Sequence, residues 1–274
     1  MSRLLFLVIF IASTLSSVVS TQQPGYNSGS AGESSVVTTP EQLRRVAPPA
    51  TDLTPQQLED QADSLRAQKA FADSLDYYRE AIKKKPSAAL YNKAGIAELL
   101  LLRYDDAKKD FERSIKAEPS YAEAYNNLGV AYYSKHNLKK AIKYYSEAIK
   151  HRDESASFHS NLGTALFSRK EFDKASQQYM RALELDPDIF ERQSRTGISM
   201  QLSSPQDRAH YSYVVAKMFA ARGDTEHCLL YLKKAMEEGY PVASKFNHEA
   251  GFEKVKKDPR IIGLLNSQPV SLPN

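Results

Sequence analysis

The chain of 274 residues is long enough for one or two domains, and its 42% of hydrophobic residues indicates that most of it is globular. The 37 basic and 33 acidic residues are interleaved and leave a net charge of only +4. This argues against a nucleic-acid surface, because such a surface gathers basic residues on one face. The single cysteine, Cys228, excludes an intramolecular disulfide, and we expect a small buried residue there rather than a reactive thiol.

The first twenty residues have the plan of a secretory signal. Arg3 precedes an apolar run from Leu4 to Leu15, and small residues follow up to Ser20. Because the run is shorter than the roughly 20 residues of a membrane-spanning helix, we predict a signal peptide over 1–20. The protein is then exported to the periplasm or the extracellular space. The alternative is an uncleaved N-terminal anchor, which would bring the protein into contact with a membrane.

Residues 21–53 are rich in Ser, Thr, Pro, Gly and Gln and have no helical period, which predicts a disordered linker. A helix is expected to begin directly after it. Thr54 is a good capping residue, Pro55 suits the first helical position, and Gln57 can reach back to the cap.

The middle of the chain repeats itself at an interval of thirty-four residues. Ala122–Gly129 and Ala156–Gly163 are related by this interval, and further steps lead back to residue 62. Repetition of this kind is the signature of stacked supersecondary units. We therefore predict four helix pairs over 54–187. The predicted pairs are 55–67 with 71–84, 88–101 with 105–117, 122–135 with 138–151, and 156–169 with 172–184.

Small and aromatic residues recur at fixed places in these pairs. Gly95, Gly129 and Gly163 are expected to face alanines of the second helix, because a larger side chain would force the two helices apart. Aromatic side chains of the second helices are expected to fill the space between one pair and the next. These are Tyr78, Phe111, Tyr145 and Tyr179.

The period breaks after Pro187. Residues 188–204 alternate apolar and polar side chains in their second half, which is a strand-like period, and we predict a non-repeat insertion there. Ser204 and Pro205 start a new helix, and 205–242 has the pattern of a divergent fifth pair. Residues 243–274 are expected to form short capping helices and a frayed tail.

The repeated residues resemble the tetratricopeptide repeat, a 34-residue helix–turn–helix unit with Leu-Gly, Tyr, Ala and Pro at fixed places. Together with the signal, the resemblance indicates an exported bacterial member of that family. It implies an all-α fold, a right-handed superhelical solenoid of helix pairs with short C-terminal capping helices. It also implies a protein-binding scaffold, without naming a partner or an oligomeric state.

The sequence has no catalytic or metal-binding pattern. The six histidines lie singly on different elements, and His227 points to a different helix face from its neighbour Cys228. Acidic pairs such as Asp105 with Asp106, and Asp60 with Asp63, fit helix starts and solvated faces. We therefore predict no enzyme activity and no cofactor. An enzyme or metal protein that uses 188–204 is the least favoured alternative.

The candidate site is a groove, since the resemblance implies that the first helix of each pair lines a concave side. Asparagine amides on this side can hold the backbone of an extended peptide, and Tyr133 and Phe167 can add apolar contacts. Asn126, Tyr133, Ser160 and Phe167 are expected not to be needed for packing. Asn127 and Asn161 precede a Leu-Gly pair, so the alternative for them is a scaffold role. The predicted groove residues are Asn92, Asn126, Asn127, Val130, Tyr133, Ser160, Asn161, Thr164 and Phe167.

These features predict a non-catalytic scaffold that binds a protein or peptide segment in the cell envelope. The alternative is a membrane-anchored structural or tethering protein. Two basic runs, Lys83–Lys85 and Lys135–Lys150, bear on this choice. Compensation of helix dipoles explains lysines near helix C-termini, and the alternative is contact with an anionic membrane or envelope polymer.

Overall fold

The computed structural model describes residues 46–190 and 204–267. The predicted signal peptide, most of the predicted linker, the body of the insertion and the end of the tail lie outside the described residues. Within them every regular element is a helix, and consecutive helices pair. The all-α fold of paired helices is therefore confirmed.

The described residues form twelve α-helices. The first eight begin and end within one residue of the predicted bounds, and two short helices lie in the C-terminal region. In chain order they are α1 (Pro55–Ala67), α2 (Phe71–Lys84), α3 (Ala88–Leu100), α4 (Tyr104–Ala117), α5 (Ala122–Ser134), α6 (Leu138–His151), α7 (Ala156–Ser168), α8 (Phe172–Leu185), α9 (Pro205–Arg222), α10 (Thr225–Glu237), α11 (Val242–Phe246) and α12 (Pro259–Asn266).

The helix starts follow the capping chemistry of the sequence. The Thr54 side chain accepts a hydrogen bond from the backbone N–H of Gln57 (3.2 Å), and the Gln57 side chain accepts one from the N–H of Thr54 (2.9 Å). This reciprocal pair satisfies two of the donors that a helix start leaves open. Ser204 caps α9 in the same way by accepting from the N–H of Asp207 (3.0 Å).

The turn between the two helices of a pair contains a residue in the left-handed conformation. The sequence does not indicate this, because in three of the pairs the residue is not a glycine. Lys69, Leu102 and Lys170 have φ values of 63°, 60° and 64°, and Gly223 takes this place in the fifth pair. The turn lets the N–H of Arg103 donate to the carbonyl of Glu98 (2.9 Å), which is the bond that closes a Schellman motif. A non-glycine residue costs roughly 1–2 kcal/mol in this conformation.

The chain divides between Lys135 and His136 into two compact units. In the first unit, α1, α3 and α5 are the first helices of their pairs, and α2 and α4 are second helices. Each first helix packs on its own second helix where both lie in this unit, and α2 packs on α3 as α4 packs on α5. The apolar core of the first two pairs includes Leu58, Tyr78 and Leu90.

Gly95 and Gly163 of the first helices face aromatic rings, which corrects the prediction that these two glycines face alanines. A Cβ added to Gly95 would lie 2.6 Å from a ring carbon of Phe111, and one added to Gly163 would lie 2.6 Å from the ring of Tyr179. Both rings are fully buried. The ring extends from the second helix into the space left by the missing side chain. Tyr179 also contacts Tyr211 of the next pair (5.6 Å between ring centroids), as expected of an aromatic residue that fills the space between pairs.

The second unit contains α6 to α12. Here α7 packs on α6 and α8, and α9 packs on α8 and α10. The C-terminal region adds aromatic contacts to the fifth pair, since Phe252 lies 5.6 Å from Tyr213 and 4.3 Å from Phe246, measured between ring centroids. These rings are buried, so this region covers apolar surface of α9 as expected of capping segments.

The last part of the predicted linker is held on α2. The N–H of Val46 donates to the Asp73 carboxylate (3.2 Å), and Lys84 Nζ donates to the carbonyl of Thr51 (2.8 Å). Polar side chains of α2 thus bond to backbone groups at both ends of residues 46–51. This part of 21–53 is in contact with the first helix pair rather than being a free tether.

Candidate functional site

The predicted asparagines of the first unit meet between α3 and α5. Asn127 Nδ2 donates to Asn92 Oδ1 (2.9 Å), and Asn126 Nδ2 donates to Asn127 Oδ1 (3.2 Å). All three are buried, with 3–7% of their surface exposed. The structure therefore brings these three predicted residues together into one chain of amides, which we call the amide row.

The amide row buries polar groups between two helices. An amide removed from water without full hydrogen bonding costs free energy, roughly 1–3 kcal/mol by mutational data. Each asparagine offers two donor hydrogens and an oxygen that accepts twice. Asn92 contributes only its oxygen to the row and donates no hydrogen bond to another described residue. The side-chain N–H groups of Asn92 in α3 thus make no hydrogen bond to another described residue.

Beside the amide row, Lys93 joins α3 to α1. Its Nζ lies 2.6 Å from both Glu59 Oε1 and Asp63 Oδ2. The hydroxyl of Tyr78 donates to Asp63 Oδ1 (2.5 Å), and Arg66 Nε donates to the Tyr78 oxygen (3.0 Å). The sequence placed Asp63 on a solvated face, but it is the centre of a network in which two cations balance two carboxylates.

The network shifts the pKa values of its members. Burial alone would raise the pKa of Asp63, yet the hydrogen bonds from Lys93 and Tyr78 outweigh it and hold this pKa below its ordinary value. Burial alone would lower the pKa of Lys93, and its bonds to Asp63 and Glu59 instead raise it. Both groups are therefore charged at neutral pH.

Replacing Lys93 by methionine is expected to lower the free energy of unfolding by about 1–2 kcal/mol at pH 7, because two partly buried carboxylates lose their cation. The folded pKa of Asp63 is depressed, so its contribution is present above the unfolded pKa of about 3.9 and is lost as the pH falls through the folded value. In urea unfolding, the difference in the free energy of unfolding between Lys93→Met and wild type should thus be smaller below about pH 4 than at pH 7.

Lys83→Met is the control for this prediction, since Lys83 makes an exposed ion pair with Glu80 within α2. Such pairs contribute about 0–1 kcal/mol. If Lys93→Met lowered the free energy of unfolding no more than the control, or by an amount that did not change with pH, Lys93 would not stabilise the fold through its bonds to Glu59 and Asp63.

The predicted groove residues of α7 are packed inside the second unit. Thr164 Oγ1 donates to the backbone oxygen of Ser160 (3.0 Å) and accepts from the Tyr179 hydroxyl (3.3 Å). Ser160, Asn161 and Thr164 are all buried. With at most 4% of each residue's surface exposed, their hydroxyl and amide groups are hardly accessible to a ligand.

Phe167 is a core residue. Only 1% of its surface is exposed, and its ring makes edge contacts with Phe172 (5.0 Å) and Tyr211 (5.9 Å between centroids). The expectation that packing does not need Phe167 is wrong, because its side chain reaches the first helix of the next pair. In α5, Val130 is also buried, and Tyr133 is half-buried, which makes it the most accessible of the nine predicted residues.

The corresponding side of α9 is covered by the chain itself. His210, Tyr213 and Lys217 stand 53 residues after Ser157, Ser160 and Thr164, as Cys228 stands 53 after Ala175. Tyr240 stacks on His210 (5.3 Å) and on Tyr213 (4.5 Å), and Lys217 pairs with Glu249 (3.1 Å). The sequence missed this cover because it lies in the least repeat-like region. The groove therefore does not continue as an open surface over these positions of α9.

Two further expectations concern chemistry. Cys228 is fully buried, and burial raises the pKa of its thiol to about 12, so it is the inert core residue that the sequence predicts. Among the described residues, no cluster of His, Cys, Asp and Glu side chains is arranged to hold a metal ion. None of the described helices is long and apolar enough to cross a membrane.

Several solved structures share part of this fold at low identity. MamA is 21% identical over 65% of this chain and 93% of that chain, with a TM-score of 0.46. YrrB, described as a TPR protein with an unusual peptide-binding site, is 20% identical over 67% and 85%, with a TM-score of 0.44. TTC0263, a TPR protein of Thermus thermophilus, is 19% identical over 68% and 92%, with a TM-score of 0.48. No conclusion about function follows from matches at this level.

Family models give the decisive comparison. The model described as "Tetratricopeptide repeat protein 21 forth ARM domain" matches residues 124–260, which is half of the chain, and the model described as "Tetratricopeptide repeat" matches residues 93–152. A comparison with curated proteins gave no significant match. Together with the helix pairs and the Schellman turns between them, the family models show that the chain belongs to the tetratricopeptide repeat family.

Proposed function

We propose that this protein is a non-catalytic interaction scaffold of the cell envelope, which binds an extended protein segment against α1, α3 and α5. The observation that supports the proposal is the amide row. It places hydrogen-bonding groups between two first helices, where packing alone does not require them, since replacing both partners of a buried hydrogen bond by apolar groups of the same shape can be nearly neutral or stabilising.

The chemistry of this side suits a peptide backbone. An extended peptide presents alternating N–H and C=O groups, and an asparagine amide can both donate to and accept from them. The donors of Asn92, which bond to no other described residue, offer a first contact. Binding also requires the Asn126–Asn127 bond to open in exchange for bonds to the ligand. That exchange makes the net gain per bond small, so we expect micromolar affinity, on the order of −8 kcal/mol.

Selectivity would come from the groups beside the amide row. Tyr133 offers a half-buried ring at the other end of the α5 surface, which gives apolar contact and a polar hydroxyl. Lys93 is held between Glu59 and Asp63 with about a quarter of each side chain exposed. A ligand carboxylate would compete with these acids for Lys93, so we expect ligands without a strong requirement for a free carboxyl terminus.

The test is selection of random peptides on the purified protein, followed by titration of a selected peptide. The variant Asn126→Ala with Tyr133→Ala should bind about tenfold more weakly or worse, since loss of a central contact typically costs more than 1 kcal/mol. Glu112→Ala with Lys116→Ala is the control, because both residues are exposed on the second helix α4. Equal binding by the test variant and wild type, or weaker binding by the control alone, would refute the site.

Location in the envelope rests on the apolar run from Leu4 to Leu15. Mass determination of the protein from its own cells is expected to give a chain that begins near Thr21. A protein that starts at Met1 and sediments with membranes would support the anchored tether instead.

A further inference from the structure

The second helices differ in charge in a way that the repeat does not explain. In α2, α4, α8 and α10, basic and acidic residues are equal in number, so each helix has no net charge. In α6, four lysines stand against one glutamate, which gives a net charge of +3. One helix thus carries a charge nearly equal to that of the whole chain, which is +4.

The lysines at the start of α6 oppose the helix dipole. Lys139 and Lys140 stand thirty-four residues after Asp105 and Asp106, so the charge of the first turn is reversed relative to α4. The positive end of the dipole lies at the first turn and favours acidic residues there by about 0.3–1 kcal/mol. The dipole explanation offered for this basic run therefore fails for these two lysines. The helix dipole therefore does not explain the positive charge of this first turn.

The lysines of α6 form an exposed stripe. Lys139, Lys143 and Lys150 are separated by four and seven residues, which places them on one side of the helix. All three are exposed, whereas Ala141, Tyr145 and Ala148 on the opposite side are buried. The stripe spans about 16 Å along the helix axis, at 1.5 Å per residue.

Little within the second unit neutralises this stripe. Lys150 pairs with Glu147, the single acidic residue of α6 (2.7 Å). Lys143 lies over the ring of Tyr144 (5.6 Å from the centroid), a contact that keeps its charge. Lys139 makes no ion pair with a described residue. The α6 face that we define by Lys139, Lys140, Lys143 and Lys150 accordingly has an excess of positive charge, since α6 itself supplies only Glu147 against these four lysines.

We propose that the α6 face docks on a bilayer surface that contains anionic phospholipid. The stripe runs along a single helix and consists of lysines on flexible stems, which suits many mobile headgroups better than one fixed ligand. Clusters of four or more basic residues on one helix are attracted to anionic bilayers by about 1 kcal/mol for each lysine. The half-buried Tyr144 beside the lysines has the amphipathic character that favours the interface. The binding is weak and sensitive to salt.

The experiment is co-sedimentation of the full chain with phosphatidylcholine vesicles, with and without phosphatidylglycerol, at low and high salt. We expect the wild type to bind the anionic vesicles more strongly, and the gain to disappear at high salt. The double substitution Lys139→Asp with Lys140→Asp gives α6 the acidic first turn that α4 has. The helix dipole favours acidic residues there, so this variant should fold at least as well as wild type. It should lose about tenfold or more of the affinity for anionic vesicles.

The control is Lys254→Glu with Lys257→Glu, which changes the total charge by the same amount at two exposed lysines outside α6. It should keep most of the binding. Equal loss in both variants would show a general charge effect and overturn the proposal. Binding that does not depend on phosphatidylglycerol would assign the interaction to the apolar N-terminal run. Binding to soluble polyglutamate but not to vesicles, lost in the α6 variant, would replace the lipid by an acidic protein partner.

Discussion

Replacing Asp110 by alanine is expected to lower the free energy of unfolding by about 3 kcal/mol. The fully buried Asp110 carboxylate accepts hydrogen bonds from both Nη atoms of Arg79 (2.8 and 2.5 Å) and from Arg113 (3.0 Å). Removing it leaves the Arg79 guanidinium partly buried with only the bond to Glu98 (3.2 Å). Because Arg79 is 31% exposed, water offsets part of the cost. The same change removes the ion pair that joins Arg79 of α2 to Asp110 of α4.

Chemical unfolding followed by circular dichroism measures this effect. Asp106→Ala is the matched control, since Asp106 lies in the same helix and forms an exposed pair with Lys109 (2.9 Å). It should cost less than about 1 kcal/mol, as exposed ion pairs do. If Asp110→Ala and Asp106→Ala were equally stable, the buried ion pair between Asp110 and Arg79 would not stabilise the fold more than an exposed pair does.

Alanine at Gly95 or at Gly163 is expected to destabilise the protein by about 1–3 kcal/mol, although alanine is the better helix former. The added Cβ would overlap the ring of Phe111 or Tyr179 at 2.6 Å, closer than carbon atoms approach in proteins. Both rings are fully buried and cannot move into solvent. The two helices of the pair would have to separate, and the contacts along the pair would weaken.

Gly263→Ala makes the same substitution where there is room. Gly263 lies within α12, and an added Cβ would meet nothing within 4 Å. This variant should gain about 0.5–1 kcal/mol from helix propensity. Thermal unfolding of the three single variants should thus show opposite signs, and a loss of stability in Gly263→Ala would mean that packing at Gly95 and Gly163 is not the cause.

Much of the fold followed from the sequence because its signals act over short distances. The thirty-four-residue period gives the helix pairs, since each pair needs the same small and aromatic residues at the same places. The helix starts followed from capping chemistry, as Thr54 with Gln57 and Ser204 show. Burial of Cys228 followed from its place in the repeat.

The candidate site depended on contacts that a period does not record. The bond between Asn127 and Asn92 joins residues 35 apart, and the bond between Lys93 and Asp63 joins residues 30 apart. Both depend on how neighbouring first helices cross and on which rotamers fit there. Phe167 could be placed on the correct side of α7 from the sequence. Its burial against Tyr211 could not, because 191–203 intervenes with a pattern unlike the repeat.

The sequence by itself determined the family, the helix pairs and the charge of α6, since each is written in the order of residues along the chain. The tertiary structure alone decided that aromatic rings face Gly95 and Gly163, that the three asparagines form the amide row, and that Tyr240 covers α9. The physical reason is that burial and pairing are set by the space between helices. That space depends on all the side chains that meet there, many of which come from separate segments of the chain.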